Sequence, residues 1–423
     1  MTGWRTTWAL LAFMLVNFAD KTVMGLAARP IMDDLGLTRE QFGTASAAFF
    51  ALFSLSALAV SYLTRTVRTT VLLLATALLW SAAQLPLLWQ GAGFGVLLVT
   101  RVLLGAAEGP AAPVATHHLH GWFDQRERTL PTAVLLTGAA AGVAVAAPTL
   151  TFVIDRFGWR WAFGAVGVAG LAWAGYWALR GAEGPYAPET SADRVIGQDT
   201  VPYRRILLSG TWLTAALGSF AAYWMLSTNL TWMPDYLEAV CGLSLHRAGT
   251  LVTVAALANG VVLVAHGLLA RRRTTPPRGS GAGVAMCLAA GAITLFAITD
   301  TTWVKVLLML GPMALANVIM TVAQTACARI TPPSQRGAVL GALAFVYALA
   351  GVLSPWIVGH VVDSAVSVTA GYRTAFLLTA ALVGLTGLLA AVWLRPERDA
   401  QRVSEKPATG QQPVPKTMGR HGN

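Results

Sequence analysis

The sequence predicts an all-α integral membrane protein, with twelve transmembrane helices in two pseudo-symmetric six-helix bundles. Three observations predict it. Of the 423 residues, 55% are hydrophobic and only 12% are charged, with a mean hydropathy of +0.59; a soluble chain carries about 25% charged residues. Apolar stretches long enough to cross a bilayer as a helix, roughly 20 residues, recur twelve times along the chain. A polar stretch at 181–207 divides them six and six.

The first stretch, 8–28, is too long for a secretory signal, lacks a convincing small-residue cleavage site and contains Asp20 and Lys21, so it reads as a mature helix. Stretches 43–63 and 71–89 flank the short basic loop VSYLTRTVRTT. The fourth, 94–116, carries Arg101 and Glu108. The fifth, 131–153, contains LLTGAAAGVAVAA, whose small residues suit close helix packing or a hinge. The sixth, 161–180, completes an N-terminal bundle over residues 1–180. The segment GAEGPYAPETSADRVIGQDTVPYRR opens the linker 181–207, rich in proline, glycine and charge, which is expected to be cytoplasmic. Stretches 208–230, 249–270, 281–299, 303–327, 338–360 and 374–394 make a C-terminal bundle over 208–394. Residues 395–423 have almost no large apolar side chains, and a disordered cytoplasmic tail is expected there.

The net charge of +11 would suggest nucleic acid in a soluble protein. Its distribution argues otherwise. With the N-terminus in the cytoplasm, inner loops and termini hold 21 of the 30 Lys and Arg, outer loops hold 7 (Arg29, Arg39, Arg156, Arg160, Arg247, Lys305, Arg373), and 2 lie within helices. This is the positive-inside bias. It predicts a multi-pass protein of the cell membrane with both termini cytoplasmic, and it makes the Arg271–Arg273 run an inner-loop anchor. Cys241, Cys287 and Cys327 form no CxxC and read as free thiols. His117, His118 and His120 form an HHLH cluster that reads as interfacial, with no further metal-ligand set. HExxH and GxSxG motifs are absent, so an enzyme is not expected.

Four ionisable residues inside apolar stretches are the most informative. A charge in the bilayer core costs several kcal/mol unless it is paired or faces a polar cavity, so such residues mark a substrate or proton pathway. Arg101 and Glu108 are seven residues apart, close to two helical turns, so they share a face about 10 Å apart along the axis and cannot pair with each other. Asp20 and Lys21 are adjacent and point about 100° apart. Each helix offers one acid and one base. The economical arrangement pairs Asp20 with Arg101 and Lys21 with Glu108. Protonating an acid then frees its basic partner for a substrate carboxylate, which Arg grips bidentately and Lys as a point charge. Tyr223, Asn259, Asn317, Gln324 and Tyr347 are polar positions in later helices that can line the same cavity or bond between helices.

The motif R-x-L-L-G-x-x-E-G-P at 101–110, followed by W-F-x-x-R-E-R at 122–128, G-W-R-W-x-F at 158–163, T-W-M-P-D-Y-L at 231–237, R-G at 336–337 and G-V-L-S-P at 351–355, resembles the major facilitator superfamily. Within it, the chain resembles the anion:cation symporters, such as galactonate and phthalate permeases and the vesicular glutamate and sialic acid carriers. The resemblance implies the major facilitator fold. It also implies that Lys21 and Arg101 bind the anion and that Asp20 and Glu108 carry protons. The chain departs from that pattern in several places. Lys21 stands where arginine is usual, so the fork is lost. Phe18 and Phe53 stand where tyrosine is frequent, so two hydroxyls are missing and an aromatic or otherwise apolar body is favoured. Thr64 replaces the acid of the loop between the second and third helices, although Arg65 and Arg68 remain, and Ala344 replaces an asparagine.

The expected function is proton-coupled symport of a small organic anion, a carboxylate, by alternating access. The alternative is a proton-linked exporter of drugs or metabolites, for which GAAAG is only a poor version of the exporters' helix-5 motif. A receptor lacks support because no sizeable soluble signalling domain is present. The expected substrate-binding residues are Lys21, Arg101, Phe18, Phe53, Tyr223 and Tyr347, and the proton-coupling residues Asp20 and Glu108. No cofactor or metal is expected beyond the proton, nor any nucleic-acid partner, and the protein is expected to be a monomer.

Overall fold

The computed structural model describes residues 2–63, 66–124, 127–186, 201–272, 280–332 and 335–404. Among them every regular element is a helix. The long ones are α1 (Gly3–Leu26), α2 (Arg39–Leu63), α3 (Thr69–Gln84, tightening into the 3-10 turn Leu85–Leu88) and α4 (Phe94–Glu108, resuming as Ala111–His120). Then come α5 (Thr129–Phe157), α6 (Trp159–Arg180), α7 (Gly210–Ala239) and α8 (Leu245–Arg272). The last are α9 (Ser280–Ile298), α10 (Thr302–Leu310, then the 3-10 stretch Pro312–Asn317 and Val318–Arg329), α11 (Arg336–Asp363) and α12 (Val368–Trp393). Ten of these are long and apolar enough to cross a membrane. The other two, α2 and α7, have 25 and 30 residues and reach about 37 and 45 Å at 1.5 Å per residue.

Local chemistry sets the boundaries. The Ser209 and Ser367 hydroxyls accept from the backbone N–H groups of Trp212 (3.1 Å) and Ala370 (3.2 Å), capping α7 and α12. Between α5 and α6 the chain turns on Gly158 alone, at φ 87°, a conformation that an L side chain resists. Pro86 and Pro110 lack the N–H that continues a helix. They break regularity two residues after Gln84 and two after Glu108.

Two expectations are corrected. The tail does not begin unstructured, because Pro396–Ser404 is helical. Its Asp399 accepts from the Thr211 backbone N–H (2.8 Å) and hydroxyl (2.7 Å) at the start of α7. Burial pushes the Asp399 carboxyl up, but the bonds from Thr211 and Arg398 outweigh it and hold the group below its ordinary value. That contribution to stability is present at neutral pH and is lost as pH falls through the lowered value. Within the linker, Tyr203–Leu207 forms a short helix. Finally, Lys305 belongs to α10 rather than to a loop and is buried, donating to the Tyr236 hydroxyl at 2.5 Å. The remainder of the linker (187–200) and of the tail (405–423), together with Thr64, Arg65 and Arg273, lies outside the described residues.

Call the end where α1 starts the terminal end and its opposite the far end. The first six long helices meet the last six along α1–α7, α2–α11 and α5–α8. Toward the far end these approaches are backbone-close. A Cβ at Gly25 would overlap the Leu230 carbonyl, one at Gly43 the Pro355 carbonyl and one at Gly359 the Arg39 carbonyl. Phe42 and Trp232 fill the space beside them, edge to face with centroids 5.5 Å apart. Small residues that let helix backbones touch are how membrane helices gain packing without a hydrophobic driving force.

Candidate functional site

Burial singles out one polar cluster in the first six helices. Asp20 (1% exposed), Gln84 (0%), Arg101 (2%) and Glu108 (1%) are enclosed, and Lys21 lies beside them on α1. Lys21 forms an ion pair with Glu108. Its ammonium also donates to the Asn17 side-chain oxygen at 2.7 Å. The rings of Phe18, Phe49 and Phe53 surround it, with centroids 5.0, 5.5 and 5.7 Å away. A cation held over aromatic faces keeps its charge where water cannot solvate it.

The expected Asp20–Arg101 ion pair is not formed. Gln84 stands between them: its Nε2 donates to Asp20 Oδ1, and its Oε1 accepts from Arg101 Nη2 at 2.9 Å. The reason is positional. The last turn of α3 inserts between α1 and α4, and an amide is both donor and acceptor, so it can satisfy an acid and a guanidinium at once. Arg101 also lies over the Phe163 ring, 4.9 Å from its centroid. Among the described residues four buried polar atoms of this cluster make no hydrogen bond: two donors, Asn17 Nδ2 and Arg101 Nε, and two carboxylate oxygens, Asp20 Oδ2 and Glu108 Oε1, while the Asp20 and Glu108 carboxyl groups lie within hydrogen-bonding reach of each other. Buried polar groups are normally satisfied, so such a set calls for an explanation.

The structure therefore brings Asp20, Lys21, Arg101, Glu108, Phe18 and Phe53 together. Tyr223 and Tyr347 pack on each other across α7 and α11, with centroids 5.1 Å apart, and Tyr223 meets Phe50 of α2 at 5.9 Å. Phe50 neighbours Phe53 (5.9 Å) and Phe49 (4.9 Å), so one continuous aromatic surface runs from Lys21 to the two tyrosines. Asn317 donates to Asn259 at 3.0 Å, an interhelical bond, and Gln324 is exposed. Sequence reasoning missed Gln84, Asn17 and Phe49. Signals were present: Gln84 is a lone amide in an apolar stretch, and Asn17 and Phe49 each lie four residues before a recognised site residue, on the same helix face.

A second network closes the far end. Arg39 of α2 donates to Asp235 of α7, Nε–Oδ2 2.9 Å and Nη2–Oδ1 3.4 Å, and the Tyr372 hydroxyl of α12 donates to the same carboxylate. Beside it, the Glu40 carboxylate meets His360 at 3.0 Å, and the Glu40 N–H donates to Asp363 at 2.7 Å. Asp235 is 0% exposed, whereas the Arg39 side chain is 20% exposed. Breaking a buried pair costs about 3–5 kcal/mol, which partial exposure of Arg39 reduces to about 1–2 kcal/mol. Asp235→Ala is expected to raise the population open at the far end about tenfold. Spin-label distances between the far ends of α2 and α11 measure this, and an unchanged distribution would assign the pair no part in closure.

Of the three histidines, His117 is exposed, His120 half-buried and His118 buried. The His118 Nδ1 lies 2.8 Å from the Thr69 hydroxyl, and its Nε2 accepts from the Trp122 indole at 3.3 Å. Glu183 receives the Thr69 and Thr70 hydroxyls and the Thr70 N–H. Burial pushes the Glu183 carboxyl up, but these bonds outweigh it and hold it below its ordinary value. The cluster anchors the start of α3 to the chain following α6. Cys327 is buried, Cys241 and Cys287 are half-buried, and all three are free thiols.

Residues 9–355 and 312–421 match the profile of the family described as Major Facilitator Superfamily. A hexuronate transporter of Bacillus subtilis is 25% identical over 400 residues, covering 90% of this chain and 92% of that protein. The probable sulfoacetate transporter SauU of Cupriavidus necator is 24% identical over 413 residues, covering 92% and 93%. Among solved structures, a bacterial homolog of the human lysosomal transporter Spinster, in an inward-facing and occupied conformation, superposes with a TM-score of 0.78 at 18% identity, covering 95% of this chain and 98% of that one.

Proposed function

The chain belongs to the major facilitator superfamily, and on that basis we propose that it carries a small organic anion across the cell membrane in symport with protons. The four unpartnered polar atoms carry the reading. Arg101 Nε and Asn17 Nδ2 are donors suited to a carboxylate, and Asp20 Oδ2 and Glu108 Oε1 are acceptors suited to protons. Hexuronate and sulfoacetate, which the relatives are named for carrying, are both anions. Here the cation Lys21 sits among three phenylalanines, and Tyr223 and Tyr347 extend the aromatic surface, so a carboxylate with an aromatic or otherwise apolar body fits better than a polyhydroxylated one.

In the empty site Glu108 neutralises Lys21. A proton on Glu108 releases the ammonium, and a carboxylate entering beside Arg101 replaces the lost charge. Anion and proton thus load together, because either alone leaves an uncompensated buried charge. The bundles 1–180 and 208–394 rock about this site. The Arg39–Asp235 closure marks the far end as the sealed one, and the positive-inside rule places the terminal end in the cytoplasm. A monomer suffices, since all the residues invoked belong to one chain, and no group other than the proton takes part.

The test is the pH inside proteoliposomes on adding aliphatic, sugar and aromatic carboxylates in turn. Inward acidification faster than in protein-free liposomes, across which the neutral acids leak, is expected with benzoate-like acids. Silence with every carboxylate, together with outward proton flux evoked by cationic drugs, would replace this reading with that of an exporter.

A further inference from the structure

Gln84 is fully buried, and its placement is tightly constrained. It closes the regular part of α3, immediately before the turn that carries Pro86. On its other side α6 comes so near that a Cβ at Gly167 would lie 3.3 Å from the Gln84 Cβ. Both ends of the amide are used, Nε2 on Asp20 and Oε1 on Arg101. Yet the two charges it touches each keep one atom that makes no hydrogen bond, Asp20 Oδ2 and Arg101 Nε, and the Asp20 carboxyl is within hydrogen-bonding reach of another acid, Glu108, with which it can share a proton but not form an ion pair. A carboxylate and a guanidinium left to themselves form a two-bond fork that engages both carboxylate oxygens.

We propose that Gln84 is a positioning residue that keeps Asp20 and Arg101 from pairing directly, so that one carboxylate oxygen stays open to a proton and the guanidinium Nε stays open to an anion. The inference deepens the symport reading and rests on it. Gln84 occupies Oδ1 and Nη2, one atom from each side of such a fork, and leaves Asp20 Oδ2 and Arg101 Nε without a hydrogen bond. A carboxylate at this position would lock Arg101 and repel Asp20. An apolar side chain would let the two collapse together. An amide of this length does neither, because its donor faces the acid and its acceptor faces the base. The site thereby holds an acid and a base close together without either neutralising the other.

The test needs no substrate. Protein labelled with carbon-13 aspartate and nitrogen-15 arginine, in lipid, is measured by solid-state NMR for the dipolar coupling between the Asp20 carboxyl carbon and the Arg101 guanidinium nitrogens. The signals are assigned by their loss in Asp20→Asn and Arg101→Lys. Weak coupling is expected in the wild type and strong coupling in Gln84→Met, which matches glutamine in length but offers no amide; Gln84→Leu serves as a second variant. A glutamine that only filled space would leave the coupling unchanged in both. Strong coupling in the wild type overturns the proposal, and so does weak coupling in the variants. Benzoate-driven acidification, measured separately, is expected to fall at least tenfold in Gln84→Met. A wild-type rate no greater than that of protein-free liposomes would count against symport, while the NMR result still decides the placement of Gln84.

Discussion

Replacing Arg101 by alanine is expected to reduce carboxylate-driven acidification of proteoliposomes to the rate of protein-free liposomes and to weaken carboxylate binding by at least about tenfold, because one hydrogen bond to a charged group is worth about 1.5–3 kcal/mol. The guanidinium is 2% exposed, lies over the Phe163 ring and donates to Gln84, and its Nε has no protein partner among the described residues. Lys21, held by Glu108 and Asn17 until Glu108 is protonated, offers a point charge and not a fork. Arg101→Lys should recover only part of the binding: the charge returns, but the planar fork does not. Binding is read by titration calorimetry at fixed pH, with the thermal transition of each variant as a check that it folds. Wild-type affinity in Arg101→Ala would remove Arg101 from the anion site and shift the search to Lys21.

Glu108→Gln is expected to separate exchange from accumulation. Glutamine mimics the protonated acid, so Lys21 is permanently released and anion binding no longer requires a proton. Counterflow, with anion on both sides and no pH gradient, should proceed at a rate near that of the wild type. Uphill uptake should vanish. For one proton per anion, each unit of pH gradient sustains a tenfold anion gradient in the wild type, equivalent to about 1.4 kcal/mol, and this ratio should fall to one in the variant. Affinity measured across pH should also flatten, because the group whose charge competes with the substrate is gone. Continued accumulation by Glu108→Gln would assign coupling elsewhere, with Asp20 the next candidate. Loss of counterflow as well would show that the Lys21–Glu108 pair is needed to hold the site together.

The two variants probe residues that were visible without any structure. Charges at 20, 21, 101 and 108 stand out because a charge within an apolar run is costly wherever its helix packs. Their spacing on α4 follows from helix geometry alone. What those positions do not contain is the identity of each partner. Asp20 looked ready to meet Arg101, and instead each meets Gln84. Asp235 passed as one letter of a motif and Arg39 as a loop charge, yet they form a bond joining α2 to α7 at the far end. Lys305 passed as a loop cation and is buried against Tyr236.

Length, composition and charge distribution alone determined that this is a many-helix membrane protein and where its buried charges lie, because crossing a bilayer is a demand on each stretch separately: about 20 apolar residues, with any exception conspicuous. The tertiary structure alone decided which side chains answer those charges. Helix rotation and depth depend on how neighbouring helices fit, on a glycine at 25 or 43 that admits a carbonyl and on a turn at Pro86 that aims Gln84 inward. A shift of one residue, about 1.5 Å and 100°, would exchange one set of partners for another while leaving every apolar stretch equally able to span the membrane.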